Sequence, residues 1–203
     1  MPRRILGLIL LASLAPATAS ADWLLSPFAG IRFGATSEPR TLDFERGTEE
    51  RKFVWGASAA ILSDGVLGVE ADFSYIPGFF EGRQFSNAFE SSRAITLTGN
   101  VILATPLAVS SYGLRPYLVG GLGWLRASTN APTSAGREFS VTNDFLAINV
   151  GGGAIGPLTP RTSVRFEVRQ FRTINRQEAT LNVTTRTKLS FWRAMAGLAI
   201  RLD

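Results

Sequence analysis

The sequence predicts an all-β chain, an eight-stranded antiparallel up-and-down barrel that crosses a membrane with its strands. Three observations predict it. Eight segments of about ten residues alternate apolar and polar side chains with a period of two. The connections between them read long, short, long, short, long, short, long, which places four long loops at one end of an antiparallel array and three short turns at the other. The opening residues have the make-up of an export signal.

That opening, MPRRILGLILLASLAPATASAD, sets Arg3 and Arg4 before an apolar run from Ile5 to Ala15 and closes on Ala19-Ser20-Ala21. It reads as a cleavable secretory signal over residues 1–21, cut before Asp22, and implies export across the inner membrane of a bacterium. The run is too short to span a bilayer as a helix, and no cysteine follows it to carry a lipid. Removal of the signal lowers Lys+Arg from 21 to 19 against 16 acids, a net charge of +3. Many of the cations fall inside strands rather than in a stripe or tail, so no nucleic-acid partner is expected.

The clearest strand is Leu67 to Tyr75, with Leu67, Val69, Ala71, Phe73 and Tyr75 on one face and Gly68, Glu70, Asp72 and Ser74 on the other. Before it, Trp23 to Phe33 alternates Ala29, Ile31 and Phe33 with Gly30 and Arg32; a polar loop, TSEPRTLDFERGTEERK, follows. Phe53 to Leu62 sets Phe53, Trp55, Ala57, Ala59 and Ile61 against Val54, Gly56, Ser58 and Ala60, then turns at Ser63-Asp64-Gly65, a strong hairpin signal. A long loop from Pro77 to Ser92 carries Phe79, Phe80, Phe85 and Phe89. Ala94 to Ala104 sets Ile95, Leu97, Val101 and Leu103 against Thr96, Thr98 and Asn100. Arg115 to Arg126 is a strand whose two faces the pattern leaves open.

A Ser/Thr/Ala/Pro stretch from Ala127 to Asn143 reads as a long loop. Phe145 to Ile155 sets Leu146, Ile148 and Val150 against Ala147, Asn149, Gly151 and Gly153. The next strand opposes Val164, Phe166 and Val168 to Arg165, Glu167 and Arg169. The last long loop, Thr173 to Lys188, alternates Ala179, Leu181 and Val183 with polar residues, so strands extend into it on this pattern. Leu189 to Leu202 sets Trp192, Ala194, Ala196, Leu198, Ile200 and Leu202 against Arg193, Gly197 and Arg201.

Alternation alone does not say which face is inside, because a soluble barrel or sandwich has the same period. The export signal, the general loop asymmetry and aromatics near strand ends (Trp23, Phe33, Phe53, Tyr75, Tyr117, Trp124, Trp192) favour an apolar exterior in lipid. Glycines 56, 68, 151, 153 and 197 share the polar face, which suits a narrow interior filled by long Arg and Glu side chains. Glu70, Asp72, Arg165, Glu167 and Arg169, with Arg32, Arg193, Arg201, Asn100 and Asn149, are then expected to form a structural charge network in the lumen rather than a catalytic site. The four phenylalanines of the 77–92 loop form a patch that caps the barrel mouth or meets lipid or a partner.

Cysteine and histidine are both absent. Disulfides, thiol chemistry, Cys/His zinc sites and the usual catalytic base are therefore excluded. No catalytic, cofactor or metal residues are assigned. The Gly120-Gly121 and Gly151-Gly152-Gly153 runs lie in strands with no helix after them, so they read as close backbone packing and not as phosphate loops.

The segments DGVLGVEADFSYIPGFF, LTGNVIL, LRPYLVGGLG, SVRFEVRQFR and FWRAMAGLAIR resemble the repeated hairpins of the small eight-stranded OmpA/OmpX-type outer-membrane β-barrel superfamily. The likeness covers Asp22 to Asp203. It implies the outer membrane as location, with outer-membrane lipid and the outer-membrane assembly machinery as partners and an envelope or extracellular partner on the long loops. A structural, envelope-integrity or surface-interaction role without an open pore follows. The alternatives are an outer-membrane lipid-modifying enzyme and a soluble, lipocalin-like periplasmic binder of hydrophobic ligands.

Overall fold

Eight antiparallel strands close on themselves in sequence order, β1 (Ala21–Glu38), β2 (Lys52–Ser63), β3 (Leu67–Pro77), β4 (Ser91–Ala104), β5 (Arg115–Pro132), β6 (Glu138–Pro157), β7 (Thr162–Thr173) and β8 (Lys188–Leu202), with β8 returning to pair β1. This is a computed structural model, and it describes residues 21–38, 51–79, 91–132, 138–174 and 188–202. Among the described residues no helix is long and apolar enough to cross a membrane. The closed ladder leaves no sheet edge through the middle of the barrel, the condition for placing strands in hydrocarbon.

The period of two sorts every strand. On β3, Val69 is 54% exposed and Phe73 39%, whereas Glu70 is 4% exposed and Asp72 is fully buried. The same holds on β7, where Phe166 and Val168 face out and Arg165, Glu167 and Arg169 face in. Apolar side chains thus cover the outside and the ionised ones fill the inside. β5 also sorts, although its sequence does not reveal it. Leu118, Leu122 and Trp124 point out, and Tyr117, Val119 and Leu125 point in.

Two expectations about the connections are corrected. Residues 127–143 are not a loop: β5 and β6 stay paired as far as Pro132 and Glu138, leaving only residues 133–137 between them. β1 likewise continues past Phe33 to Glu38, after a register shift against β8 near Gly34, whose φ of 58° suits glycine. Both extensions lie beyond the apolar belt, where neither face of a ribbon must be greasy, so the ladder continues without leaving an alternating pattern. The alternating stretch 179–183 lies outside the described residues.

The short-turn end is tied by one side chain. Arg115 donates from Nε to the Thr105 carbonyl at 2.9 Å, and from Nη2 to the carbonyls of Ser63 at 3.0 Å and Gly65 at 2.8 Å. It therefore links the β2–β3 turn to the β4–β5 connection.

Exposed aromatics gather toward the long-loop end. Phe53, Trp55, Trp124 and Trp192 face out there, with Tyr75 against Trp55 at 5.4 Å and Phe33 stacked on Trp192 at 6.5 Å. Trp23, near the β2–β3 turn, and the exposed Tyr112 of the β4–β5 connection stand at the opposite end. Tyr117 does not belong to this girdle. It is only 4% exposed and points inward, because its hydroxyl has charged partners in the lumen.

Candidate functional site

The middle of the barrel is built from positions on seven of the eight strands. Glu70 and Asp72 lie two apart on β3, and Arg165, Glu167 and Arg169 succeed one another on the inward face of β7. Arg193 comes from β8, Asn100 from β4, Asn149 from β6, Tyr117 from β5 and Ser58 from β2. All these side chains are buried.

Three guanidiniums meet three carboxylates. Arg165 Nη2 reaches Glu70 at 2.5 Å and Glu167 at 2.6 Å; Arg169 Nη2 reaches Glu70 at 2.9 Å and Glu167 at 2.7 Å. Arg193 holds Asp72 at 2.8 Å and Glu167 at 3.3 Å. Neutral groups complete the cluster. Asn100 Nδ2 donates to Glu70 at 3.1 Å, Asn149 Nδ2 donates to Asn100 Oδ1 at 2.8 Å, and Arg165 Nη1 donates to Ser58 Oγ at 3.0 Å. Tyr117 bridges opposite charges, since its hydroxyl accepts from Arg165 Nε at 2.7 Å and donates to Glu167 at 2.9 Å.

The arithmetic of charge explains why this cluster is stable. A lone ion buried here would cost several kcal/mol, roughly 3–5 kcal/mol when one partner of a buried pair is lost. Equal numbers of opposite charges, each carboxylate gripped by more than one donor, remove that cost. Arginine suits the role better than lysine because its planar fork serves two carboxylates at once.

Apolar layers close the cluster above and below. Toward the long loops, Phe171 stacks on Phe191 at 5.0 Å, Phe79 meets Phe191 edge-on at 5.5 Å, and Phe28, Val54, Leu125 and Phe145 pack around them. Toward the short turns, Leu62, Ile102, Val119 and Ile155 form a second layer with the ring of Tyr117. Arg193 joins the ions to the upper layer, with its guanidinium 4.8 Å from the Phe28 ring centre and 5.1 Å from that of Phe171.

Eight of the ten residues marked from sequence for the lumen lie in this cluster: Glu70, Asp72, Asn100, Asn149, Arg165, Glu167, Arg169 and Arg193. Two do not. Arg32 is buried in the upper layer, where it donates to the Phe79 carbonyl at 3.0 Å and lies 4.7 Å from that ring. Arg201 is a correction. It shares the inward parity of β8 but stands at the short-turn rim, half-exposed and paired with Asp22 at 2.9 Å, beside a cavity of about 120 Å³. Strand parity says which way a side chain points and nothing about how far along the barrel axis it lies.

Of the phenylalanine patch, Phe79 is buried and plugs the upper mouth, while Phe80, Phe85 and Phe89 lie outside the described residues. Sequence reasoning missed Ser58 and Thr98 as polar partners. It also missed the inward Phe28, Phe145, Phe171 and Phe191, although each sits at the parity of a marked charge on its own strand or the next. Among the described residues, no group of three acidic, histidine or cysteine side chains is placed to hold a metal ion.

The barrel is similar to solved outer-membrane structures. Neisserial surface protein A is 14% identical, with a TM-score of 0.61 over 89% of this chain and 97% of that one. The outer membrane protein OprG of Pseudomonas aeruginosa is also 14% identical, with a TM-score of 0.56 over 92% and 98%. The N-terminal β-barrel domain of Pseudomonas aeruginosa OprF is 13% identical, with a TM-score of 0.54 over 91% and 100%. At these identities the likeness concerns the fold. No curated protein matches the chain in sequence. The family model for the outer membrane protein beta-barrel domain matches residues 6–195, and with apolar strands outside and ions inside, this chain belongs to that family of outer-membrane barrels.

Proposed function

We propose that the protein is a closed, non-conducting, non-enzymatic barrel that contributes to envelope integrity and offers its long loops to an extracellular or envelope partner. One observation supports this reading: across the middle of the barrel an ion cluster lies between two apolar layers of inward side chains. A hydrated path past that cluster would have to separate charges held at hydrogen-bond distance. We further infer that residues 1–21 direct export and are removed before Asp22, and that insertion uses the outer-membrane assembly machinery.

Planar-bilayer recording of the full mature barrel tests the reading. No discrete conductance steps are expected, and a stable open level would overturn it. N-terminal sequencing of protein recovered from an outer-membrane fraction should begin at Asp22. The exposed apolar belt, with Val69, Leu97, Leu118 and Val150 half or more uncovered, opposes a soluble ligand binder, since such a belt would aggregate in water.

A further inference from the structure

The outward face changes character abruptly at the long-loop end. Across β4, β5 and β6 the strand register defines successive rows: Leu97, Trp124 and Leu146; then Ile95, Arg126 and Asp144; then Arg93, Ser128 and Thr142. Arg126 thus stands one outward position beyond Trp124, and Arg93 lies one row farther out. The same step recurs on the other side of the barrel, where Gln170 pairs Trp192 and the next outward row holds Arg172 and Ser190. Just before β2, exposed Arg51 lies two residues from the outward Phe53.

At the opposite end the exposed arginines among the described residues are Arg161, in the turn before β7, and Arg201, which has inward parity and pairs with Asp22. The outward strand residues there include Trp23, Ile61, Leu67, Leu103, Leu118, Val164, Ile200 and Leu202, and among the described strand residues none facing outward at that end is basic. Hydrophobic thickness alone would not distinguish the two ends, so the asymmetry needs a cause in what each end meets.

Tryptophan settles at the boundary between acyl chains and headgroups. Two residues along a strand span about 7 Å, which carries the guanidiniums of Arg126 and Arg172 from that boundary to the depth of lipid phosphates, with Arg93 at the headgroup side of them. Arg126 is held upright for this position. Its guanidinium lies 4.5 Å from the Trp124 ring centre and is paired with Asp144 at 2.8 Å and 3.1 Å. Among the described residues, Arg93 and Arg172 are exposed and have no acidic partner. Arginine's fork matches two phosphate oxygens at once.

We propose that Arg93, Arg126 and Arg172 form a basic collar that recruits phosphate-bearing anionic lipid in the leaflet at the long-loop end. The collar rests on the membrane-spanning orientation and is separate from the ion cluster inside. By this reading Asp144 tempers the collar, since it competes with lipid for Arg126.

The test uses the full mature chain carrying W23F, so that Trp55, Trp124 and Trp192 report from the long-loop end alone. The protein is refolded into vesicles of brominated phosphatidylcholine, brominated phosphatidylglycerol or an equal mixture, and tryptophan quenching gives the relative occupancy of the two lipids around the barrel. Folding of each variant is verified by heat-dependent gel mobility. Phosphatidylglycerol should be preferred, by up to about fivefold for each arginine that meets a phosphate. R93Q/R126Q/R172Q should bring the preference close to one, and D144N should raise it. An unchanged preference in the triple variant, or none in the parent, would overturn the proposal. A preference erased by inorganic phosphate at constant ionic strength would assign the arginines to a free anion, and would overturn it too. None of these outcomes depends on whether the barrel conducts.

Discussion

Arg193 on β8 holds Asp72 on β3 with both of its terminal nitrogens at 2.8 Å, across a lumen in which those two strands share no ladder. The pair therefore braces opposite walls. Asp72→Ala leaves a buried guanidinium with Glu167 as its remaining carboxylate, and should cost about 3–5 kcal/mol. The double variant D72A/R193A should cost less than the sum of the two single ones. Reversible urea unfolding in vesicles measures the coupling. Strict additivity would show that the bidentate pair contributes nothing beyond packing.

Removing Glu70 together with Asp72 leaves Arg165, Arg169 and Arg193 around the single carboxylate of Glu167. E70A/D72A should lower the unfolding temperature by more than either single change, while the outward faces that meet lipid are untouched. Membrane fractionation should then recover the variant with the outer membrane. A variant that folds as stably as the parent would remove the case for the cluster as the barrel's internal brace.

Tyr117 shows how one hydroxyl can join two ions. Its Oη lies between Arg165 Nε and Glu167 Oε2, at 2.7 Å and 2.9 Å. Tyr117→Phe keeps the ring in the lower apolar layer and deletes both hydrogen bonds, each of which involves a charged group. A loss of about 1.5–3 kcal/mol is expected, measured by the same unfolding experiment. A neutral result would mean that the hydroxyl is replaced by water.

These residues also mark where sequence was legible. The marked charges on β3 and β7 were readable because lipid outside and ions inside pull alternate side chains in opposite chemical directions. Leu67 to Tyr75 and Val164 to Arg169 separate at a glance for that reason. β5 offered no such contrast, since Tyr117, Val119 and Leu125 line apolar interior layers while Leu118 and Leu122 meet lipid, and both faces ask for apolar residues. Tyr117 reads from sequence as a girdle residue because its ring suits either place and only its partners, Arg165 and Glu167, decide. Arg201 carried the right parity but the wrong height, and residues 127–143 lost their alternation because the ribbon there has left the apolar belt.

Phe79 closes the upper mouth, buried against Phe191 and beneath it Phe171. Phe79→Ala should cost about 3 kcal/mol through the cavity it leaves. Phe79→Leu, which refills part of that space, should recover much of the loss. Amide exchange at the upper ends of β3 and β8 should quicken in the alanine variant alone. Equal protection in both would place the plug elsewhere.

Gly121 sits on β5 between Asn100 of β4 and Asn149 of β6, and those two asparagines hydrogen-bond to each other at 2.8 Å across it. They meet because the intervening strand has no side chain. A methyl group at Gly121 would run into the Gly99 carbonyl and the Asn100 amide, and would stand 2.7 Å from the Asn100 Cα, where nothing can yield cheaply. Gly121→Ala should therefore cost about 2–4 kcal/mol, combining overpacking with loss of the amide pair. Gly99 is the control on the neighbouring strand, since a methyl group there meets nothing within 4 Å. Gly99→Ala should be neutral or stabilising by up to about 1 kcal/mol, because it only restricts the unfolded chain. Paired unfolding curves for the two variants decide the matter. Equal effects at Gly121 and Gly99 would show that the glycine is not what lets Asn100 and Asn149 join.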